Sequence, residues 1–419
     1  MGGGLAGIVL ICHVFPPEHA PAGVMVSELA EDLAANGHRV TVITGWPSHP
    51  GGVLFPGWRA RVRSVEEDPR GFRVIRCWHS IRPRERAFWR LWYYLTFGVS
   101  TLLNGLGEGK IDAVLCLSTP VFGSWAAWAL ARIKGARFVY AIFDLHPESA
   151  ANAGLVKRGV AYGILRKADS MLCGCSNSIV TLGEGVRSEI VARGIRREKV
   201  EVVPLWLDKR KIRPGPRDNP WRREQGIAVE TLVALYAGTI GLISGAEVLI
   251  EAARSLAARK DILILFVGEG SMRDRLKEAA ARSELANIRF LPFQSASVLE
   301  DVLATADIGL VTLLPEAGKS SVPSKVLGYL AAGRPVIASV APESDTAAMV
   351  REGECGRVTA CMDPVALARA IVELADDRET RLDLGRRARA YFEGAFDRGV
   401  CVRAYEGLLR GDGVALGGS

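Results

Sequence analysis

The chain has 419 residues, of which 49% are hydrophobic and 24% are charged, a composition typical of globular proteins and not of disordered ones. This length predicts about two domains, because one hydrophobic core rarely grows beyond about 250–300 residues. The formal net charge of +7 favours an anionic partner such as a phosphate-bearing ligand or an acidic lipid surface, although a basic, solvated surface explains it equally well.

Eight cysteines are scattered along the chain without a C-x-x-C pair, and several lie in apolar, strand-like runs. A thiol in such a run packs as a small hydrophobe, which favours a reducing compartment. The N-terminus lacks the basic region of a signal peptide. No apolar run reaches the ~18 residues of a spanning helix. We therefore expect a cytoplasmic protein.

Strand-like and helix-like segments alternate through the first half. Residues 7–14 are predicted as a strand, 24–37 as a helix and 38–44 as the returning strand of a βαβ unit. Further strands are predicted over 72–78, 113–118, 137–144, 171–176 and 200–206. This alternation is typical of a parallel sheet with helices on both faces.

The polar, proline-rich segment 208–226 is predicted as a linker, after which the alternation restarts. Strands are predicted over 231–238, 261–268, 287–293, 306–314 and 334–339, with helices over 245–258, 272–283, 296–305 and 322–332. Residues 378–410 are predicted as two amphipathic helices. The predicted fold class is α/β, with two doubly wound, Rossmann-like domains that face each other across a cleft.

Ligands of open parallel sheets bind beyond the carboxyl ends of the strands. The cleft is therefore the expected site, with occupation of one domain as the alternative. Three glycine-rich loops follow predicted strands: PPEHAPAG ends at Gly23, GTIGLISG follows Tyr236-Ala237, and GEG begins at Gly268. Glycine lets backbone amides approach a phosphate closely. No loop matches the dinucleotide or P-loop pattern.

The stretch SSVPSK, residues 320–325, precedes an apolar helix. Ser320 or Ser321 is predicted to cap this helix, and Pro323 fits its first turn. Lys325 then opposes the helix dipole unless an anion neutralises it. We predict that Lys325 helps to bind a diphosphate, with an ammonium that points to water as the alternative.

The pattern PSKVLGYLAAGRPVIAS (323–339) resembles the nucleotide-sugar motif of family 4 glycosyltransferases, whose fold is called GT-B. Further pieces precede it in the family's order along nearly the whole chain: PPEHAPAG with the helix and strand ELAEDLAANGHRVTVIT, then TGWPSHPGG, DLHPES, VEVVPLWLD, YAGTIG, FVGEGSMRDRL and NIRFLPFQ. TGWPSHPGG and FDLHPES resemble a branch that adds fucose-type or N-acetylated sugars in bacterial exopolysaccharide and O-antigen synthesis. The resemblance implies that residues 1–207, with a crossing helix over 397–419, bind the acceptor. Residues 227–396 would bind the nucleotide-sugar donor.

Residues in five loops match the family's donor site. The resemblance places Gly23, Gly238, Thr239 and Gly241 beside the donor phosphates, Gly268, Glu269 and Gly270 near the nucleotide, Leu291, Phe293 and Gln294 around the base, and Ser320, Ser321, Pro323, Ser324 and Lys325 along the diphosphate and sugar. Many relatives carry two glutamates where this chain has Ser320 and Gly328. Glu316 is the predicted substitute for the first, unless it is a solvated surface carboxylate.

Loops of the N-terminal half contain the predicted acceptor-side groups. Glu18 and Asp144 are predicted as a base or an orienting group, followed by Glu148. His19 and His146 lie in the same loops, either as binding residues or as solvated side chains. No D-x-D triplet occurs, so we predict neither a metal nor another cofactor. Lysine, backbone amides and helix dipoles would stabilise the leaving group, and the resemblance implies retention of stereochemistry.

The run 82–107 is basic at its start and then rich in Trp, Tyr and Phe. It suits a helix that lies on an anionic membrane, with packing into the domain core as the alternative. The predicted function is transfer of a sugar from a nucleoside diphosphate, with UDP favoured, to a glycan or polyprenyl-diphosphate-linked acceptor at the inner face of the cell membrane. The alternatives are a nucleotide-sugar 2-epimerase and an inert partner subunit. Nucleic acid is not expected as a partner, because its binding motifs are absent.

Overall fold

The computed structural model describes residues 6–18, 20–82, 87–118, 121–143, 145–148, 151, 159–315 and 323–412. The chain divides into two compact units. The first contains the described residues up to Val203 and those from Val402 onward, and the second contains Pro204–Cys401. Each unit is built on a largely parallel sheet, so the predicted α/β class with two parallel-sheet domains is confirmed.

In the described part of the first unit, eight strands form one sheet in the order β3-β4-β2-β1-β5-β6-β7-β8, with only β3 antiparallel to its neighbour. The strands are β1 (Gly7–Ile11), β2 (Arg39–Thr44), β3 (Arg63–Glu67), β4 (Arg73–Cys77), β5 (Ala113–Leu117), β6 (Arg137–Ile142), β7 (Ser178–Thr181) and β8 (Val200–Val202). The helices are α1 (Pro21–Ala35), α2 (Ala87–Leu106), α3 (Val121–Lys134), α4 (Val160–Cys175) and α5 (Glu184–Ala192).

In the described part of the second unit, six parallel strands are ordered β11-β10-β9-β12-β13-β14. They are β9 (Leu232–Ala237), β10 (Ile262–Val267), β11 (Ile288–Leu291), β12 (Ile308–Thr312), β13 (Val336–Ser339) and β14 (Gly356–Thr359). The helices are α6 (Pro220–Glu224), α7 (Glu247–Ser255), α8 (Arg273–Arg282), α9 (Leu299–Thr305), α10 (Lys325–Ala331), α11 (Asp345–Glu352), α12 (Pro364–Asp376) and α13 (Arg378–Ala395). The last helix, α14 (Arg398–Arg410), belongs to the first unit from Val402 onward.

The central strands of the second unit bury side chains on both faces. Along β9, Leu232 and Ala234 pack into one apolar cluster, whereas Val233 and Leu235 pack into the cluster on the opposite face. Successive side chains of a strand point to opposite faces, so a continuous apolar run is buried only where helices cover both sides of the sheet. This is why the uninterrupted apolar runs predicted these strands correctly.

In each sheet, the order in which the chain adds successive strands changes direction once. In the second unit it moves outward from β9 through β10 to β11 and then returns to β12 on the other side of β9. The pairing of β9 with β12 is short, with Ile308 opposite Ala234 and Gly309 opposite Leu235. The two strands then part, and their carboxyl ends open a crevice of the kind in which α/β proteins bind ligands.

Tyr329 of α10 fills the gap between the parting strands. Its hydroxyl donates to the carbonyl oxygen of Leu235 at 2.8 Å and accepts from the amide of Ala237 at 2.7 Å. Its ring lies against Gly309, where a Cβ would overlap the aromatic carbons. The side chain is fully buried. Tyr329 therefore satisfies backbone groups that β12 no longer reaches.

The structure corrects several sequence predictions. The strand predicted over 171–176 is wrong, because these residues form the end of α4 and the strand follows at Ser178–Thr181. Periodicity does not distinguish a short apolar run in a strand from one in a helix. The edge strand β3 was missed, and so were α11, β14 and α12. The two helices predicted over 378–410 are present as α13 and α14.

The segment 208–226, predicted as a linker, packs into the second unit. Trp221 and Arg222 on α6 are buried there. The guanidinium of Arg222 donates to the carbonyl oxygen of Thr305 at 3.0 Å, at the end of α9. Arginine is amphipathic, since its stem can be buried while its five donors satisfy backbone carbonyls. The polar residues of this segment therefore did not predict correctly that part of it is buried in the second unit.

We expect Tyr329→Phe to destabilise the second unit by about 1–3 kcal/mol, because two buried backbone groups lose their partner. Hydrogen–deuterium exchange of the peptide that contains Ala237 should become faster. Tyr162→Phe, which removes the hydroxyl of a half-buried tyrosine in the first unit, is the control and should leave that peptide unchanged. Equal exchange in the wild type and Tyr329→Phe would contradict this role.

Candidate functional site

A cavity of about 640 Å³ lies at the carboxyl ends of β9 and β12, where the two strands part. Its wall has a polar and an apolar part. The polar part contains Gly238, Thr239, Gly241, Ser244, Gln294, Thr312, Ser324 and Lys325, and the apolar part contains Leu207, Ile212, Leu299, Val302, Leu303 and Phe293. This volume is typical of a pocket for a small molecule. The cavity lies at the topological switch point, where the order of the strands in the sheet reverses, and its volume fits a small molecule. It is therefore the candidate site.

The glycine loops after β9 and β10 are packed directly on each other. A Cβ at Gly268 would overlap the carbonyl oxygen of Gly238, and a Cβ at Gly270 would overlap that of Ile240. The amide of Ile240 donates to the carbonyl oxygen of Glu269 at 2.9 Å. Glycine at 268 and 270 is therefore required by the close approach of two backbones. These residues shape the cavity wall from behind, and the described lining does not include them.

Lys325 is the first residue of α10, and its side chain is turned into the cavity. Its ammonium nitrogen lies 3.3 Å from the centroid of the Tyr236 ring. A cation over an aromatic face is stabilised by the ring quadrupole. Among the described lining residues Lys325 is the only charged one, and no described carboxylate forms an ion pair with it. Burial lowers the pKa of Lys325 from 10.5 to about 7, because desolvation disfavours the ammonium.

Most of the other predicted donor-site residues line the same cavity. Thr239, Gly241, Pro323 and Ser324 do so with Gly238 and Lys325, although the side chain of Ser324 caps no amide of α10. Ser320, Ser321 and Glu316 lie outside the described residues, so their predicted roles stay predictions. Glu269 is not part of the lining and pairs with Arg273 at 3.4 Å.

The residues predicted around a base form the rim of the cavity. Phe293 is 55% exposed there. The side-chain oxygen of Gln294 accepts from the indole nitrogen of Trp221 at 3.1 Å, and its amide nitrogen donates to the carbonyl oxygen of Pro292. Leu291 ends β11 and packs against the core. Phe293 therefore offers an open aromatic face, while Gln294 is held by two hydrogen bonds.

Gly328 lines the apolar part of the cavity. A Cβ at this position would lie 3.3 Å from a methyl carbon of Leu303. The described lining contains no carboxylate. A ribose in this cavity would therefore meet hydroxyl, backbone and apolar groups among the described residues, in contrast to the carboxylate that commonly binds a ribose diol in dinucleotide sites.

In the first unit, Glu18 is engaged by backbone amides. One carboxylate oxygen accepts from the amides of Ser48 and His49 at 2.8 and 2.7 Å, and the other accepts from the amide of Phe15 at 3.0 Å. The side chain is 3% exposed. Glu18 thus joins the loops after β1 and β2, and this arrangement favours an orienting role over that of a free base. His19 is outside the described residues.

The loop after β6 is held by arginines. Glu148 pairs with Arg166 and Arg193, and Arg193 also binds Asp169 at 2.7 Å and the carbonyl oxygen of His146 at 3.3 Å. Burial raises the pKa of Asp169. His146 is half-buried, and Asp144 lies outside the described residues. Gly23 of α1 packs on the backbone of Val14 and Phe15.

Sequence reasoning missed the aromatic partners of the site. Tyr236 forms the face over which Lys325 lies, and its hydroxyl donates to the carbonyl oxygen of Thr239 at 3.1 Å. Burial raises the pKa of Tyr236 to about 12. Tyr236 lies two residues before the glycine loop that begins at Gly238, and this position was the available signal.

Two family models match the chain, one in each unit. The model described as "Glycosyl transferase 4-like domain" matches residues 22–206, and the model described as "Glycosyl transferases group 1" matches residues 231–377. The second match contains β9–β14 and the lining of the cavity apart from Leu207 and Ile212. Together the two matches contain every strand of the two sheets except β1.

Similar proteins agree with these matches. The putative colanic acid biosynthesis glycosyl transferase WcaI of Escherichia coli K12 is 26% identical over 329 residues, which are 76% of this chain and 79% of WcaI. Sucrose-phosphate synthase from Thermosynechococcus elongatus superposes with a TM-score of 0.70, at 17% identity and over 97% of this chain and 98% of the synthase. HepE of Anabaena in complex with UDP superposes with a TM-score of 0.69, at 15% identity and over 97% of this chain and 100% of HepE.

These structures and this chain share the GT-B fold. The chain is a glycosyltransferase. The predicted fold and enzyme class are therefore confirmed, and both matched models agree with the predicted family.

We expect the ammonium of Lys325 to lose its proton near pH 7, whereas exposed lysines titrate near 10.5. Burial without an acidic partner among the described residues is the physical reason. Carbon-13 NMR of labelled lysine Cε atoms, assigned by loss of one signal in Lys325→Arg, measures this difference. Lys277, which is exposed on α8, is the internal control. A Lys325 signal that titrates together with that of Lys277 would contradict the expectation.

Proposed function

We propose that the cavity of the second unit binds a nucleoside diphosphate sugar, with UDP as the favoured nucleotide. The observation that carries this proposal is Lys325, a buried cation without an acidic partner among the described residues, in a cavity at a topological switch point. An anion that enters the cavity restores the electrostatic balance of this lysine. The UDP complex of HepE, which has the same fold, supports the choice of ligand class.

The shape of the cavity suggests an orientation for the donor. The diphosphate lies at the polar end, beside Lys325 and the backbone of Gly238 and Thr239. The base lies at the rim, where Phe293 is exposed and provides a stacking surface. Gln294 is fixed by Trp221 and has one amide hydrogen left for a base carbonyl.

The proposed reaction moves the sugar to a hydroxyl of an acceptor. The bond between the anomeric carbon and the phosphate oxygen breaks, and its electron pair leaves with the nucleoside diphosphate. The acceptor oxygen forms the new bond on the same face of the sugar, and its proton passes to the departing diphosphate. Lys325 stabilises the charge that develops on the leaving group, and the step is proposed to need no metal.

The acceptor is proposed to be a glycan or a lipid-diphosphate-linked sugar of bacterial surface polysaccharide synthesis. The similarity to WcaI supports this class. The motifs TGWPSHPGG and FDLHPES favour a fucose-type or N-acetylated sugar as the transferred group. Asp144, Glu18, His146 and Glu316 stay proposals as contributors to catalysis, with Glu18 reassigned to orienting the loops that surround the acceptor.

We expect UDP to stabilise the wild type, and Lys325→Met to weaken UDP binding at least tenfold. Lys277→Met should bind like the wild type. Wild-type affinity should fall by up to about tenfold per pH unit above pH 7 as the free ammonium loses its proton. The UDP affinity of Lys325→Arg should depend less on pH, because the guanidinium group stays charged over this range.

Titration calorimetry between pH 6.5 and 9.5 measures these affinities, and a panel of other nucleotides tests the choice of UDP. Equal UDP affinity of Lys325→Met and the wild type would refute the phosphate contact. Tight binding without release of nucleoside diphosphate on any lipid-linked acceptor would instead favour the inert partner subunit.

The exposed apolar face of helix α2 supports our proposal that the protein binds peripherally to an anionic membrane. Apolar side chains three or four residues apart are exposed along one face: Phe88, Leu91, Trp92, Leu95, Val99, Leu103 and Leu106. The opposite face is buried through Tyr93 and Phe97. Arg82 stacks over Trp89, and Arg59 and Arg61 are exposed in the loop before β3. Among the described helices, none combines the length and apolar content that crossing a bilayer requires.

Apolar residues flanked by cations fit the interface of an acidic bilayer. We expect the wild type to co-sediment with phosphatidylglycerol vesicles at low salt, and Leu95→Asp with Val99→Asp to reduce the bound fraction severalfold. Val365→Asp, at a 70% exposed position of α12, is the matched control. If the α2 variant and the control co-sediment with the vesicles to the same extent, the proposal that α2 binds the membrane is refuted.

A further inference from the structure

The wall of the cavity in the second unit is polar at its two ends and apolar between them. At one end, a Cβ built on Gly238 would lie 3.4 Å from Cε of Lys325, so the lysine lies directly against the glycine loop after β9. At the other end, Phe293 and Gln294 follow β11 at the rim. A nucleoside diphosphate joins its phosphates to its base through a pentose. The pentose of a bound donor therefore lies against the wall between these two ends.

The middle part of the wall is formed by two helices. Gly328 comes one turn after Lys325 on α10, and both residues line the cavity, because residues three apart are neighbours on a helix surface. Leu299 and Leu303, four residues apart on α9, line the cavity beside them. A Cβ on Gly328 would lie 3.3 Å from a methyl carbon of Leu303, so the two helices meet here. The surface offered to a pentose consists of leucine side chains and a glycine.

The polar side chains of the described lining belong to the ends of the wall or are engaged within a loop. Thr312 donates to the carbonyl oxygen of Ser244 at 2.6 Å, and Ser244 donates to that of Gly241 at 2.6 Å. Both hydroxyl protons are therefore used in the glycine loop after β9. Thr239 and Ser324 adjoin the phosphate end in the sequence. Among the described lining residues, a pentose thus meets mainly apolar groups.

The selection of ribose over 2′-deoxyribose depends on a protein group that bonds the 2′-hydroxyl. In dinucleotide sites a carboxylate accepts from this hydroxyl. A site built around such a bond rejects the ligand that lacks the hydroxyl, because the polar group of the site then loses its partner. An apolar wall contains no group to leave unpaired, and a 2′-hydroxyl directed at Leu303 would lose water without gaining a protein partner. Such a wall gives ribose no advantage.

We propose that this cavity does not select for a ribonucleotide and that it binds 2′-deoxyribonucleoside diphosphate sugars, the class that includes thymidine diphosphate sugars, as well as UDP sugars. The inference rests on the proposed donor site and names the class of nucleotide that this site accepts. Leu299, Leu303 and Gly328 form the wall that removes the selection.

The test measures the affinities of UDP, 2′-deoxy-UDP and thymidine diphosphate for the full chain by titration calorimetry. We expect both deoxynucleotides to bind the wild type within about threefold of UDP, because UDP differs from 2′-deoxy-UDP only in the hydroxyl that meets the apolar wall. All three ligands carry the same diphosphate. The ratio of two affinities therefore cancels any effect of a variant on phosphate binding.

A carboxylate introduced at the wall should create the missing selection. Gly328→Glu supplies a charged acceptor for the 2′-hydroxyl and should raise the preference for UDP over 2′-deoxy-UDP about tenfold. Gly328→Ala is the matched control, because it adds the Cβ near the flexible side chain of Leu303 without adding a carboxylate. Its ratio of affinities should equal that of the wild type.

The outcomes separate this inference from the proposed function. A wild type that binds UDP at least tenfold more tightly than either deoxynucleotide would overturn the inference and leave the donor site intact. A folded Gly328→Glu protein with the same ratio as Gly328→Ala would also overturn it, since the pentose would then lie elsewhere. The wild-type comparison needs no variant, so it decides the inference even if Gly328→Glu does not fold. A wild type that binds none of the three nucleotides would overturn the proposed function itself.

Discussion

The second unit depends on one tyrosine hydroxyl at the point where β9 and β12 part. Two parallel strands that diverge expose backbone amides and carbonyls, and buried groups of this kind are costly unless they are paired. Tyr329 supplies both a donor and an acceptor at this gap, and Gly309 leaves room for its ring. Tyr329 is on α10, and the same helix begins at Lys325. One short helix therefore both satisfies the backbone between the parting strands and positions the cation of the cavity.

Lys325 illustrates how a fold can hold a charge in an unfavourable place. Its ammonium is stabilised by the face of Tyr236, which is a weaker partner than a carboxylate. A pKa near 7 means that the protein holds this group close to the boundary between its charged and neutral forms. An anionic ligand then gains more from this lysine than from an exposed one, since the desolvation has already taken place in the folded chain.

In the first unit, acidic side chains stabilise the loops that follow the strands. Glu18 accepts three backbone amides and so joins the loops that follow β1 and β2. Such loops extend beyond the sheet, and their buried amides need acceptors. Carboxylates suit this purpose because they accept several hydrogen bonds.

The sequence by itself determined the class of the fold, most strands, the two final helices and the loops at which the cavity lies. These features follow from local periodicity and from glycine and proline positions, which act over a few residues. It did not reveal that the proline-rich segment 208–226 buries Trp221 and Arg222, or that 171–176 ends a helix. Only the tertiary structure decided the roles of individual side chains. Glu18 is engaged by amides from a distant loop, Lys325 lies over Tyr236, and His13 meets His49. Each of these contacts joins residues far apart in the chain, and burial and pairing exist only after the strands have assembled.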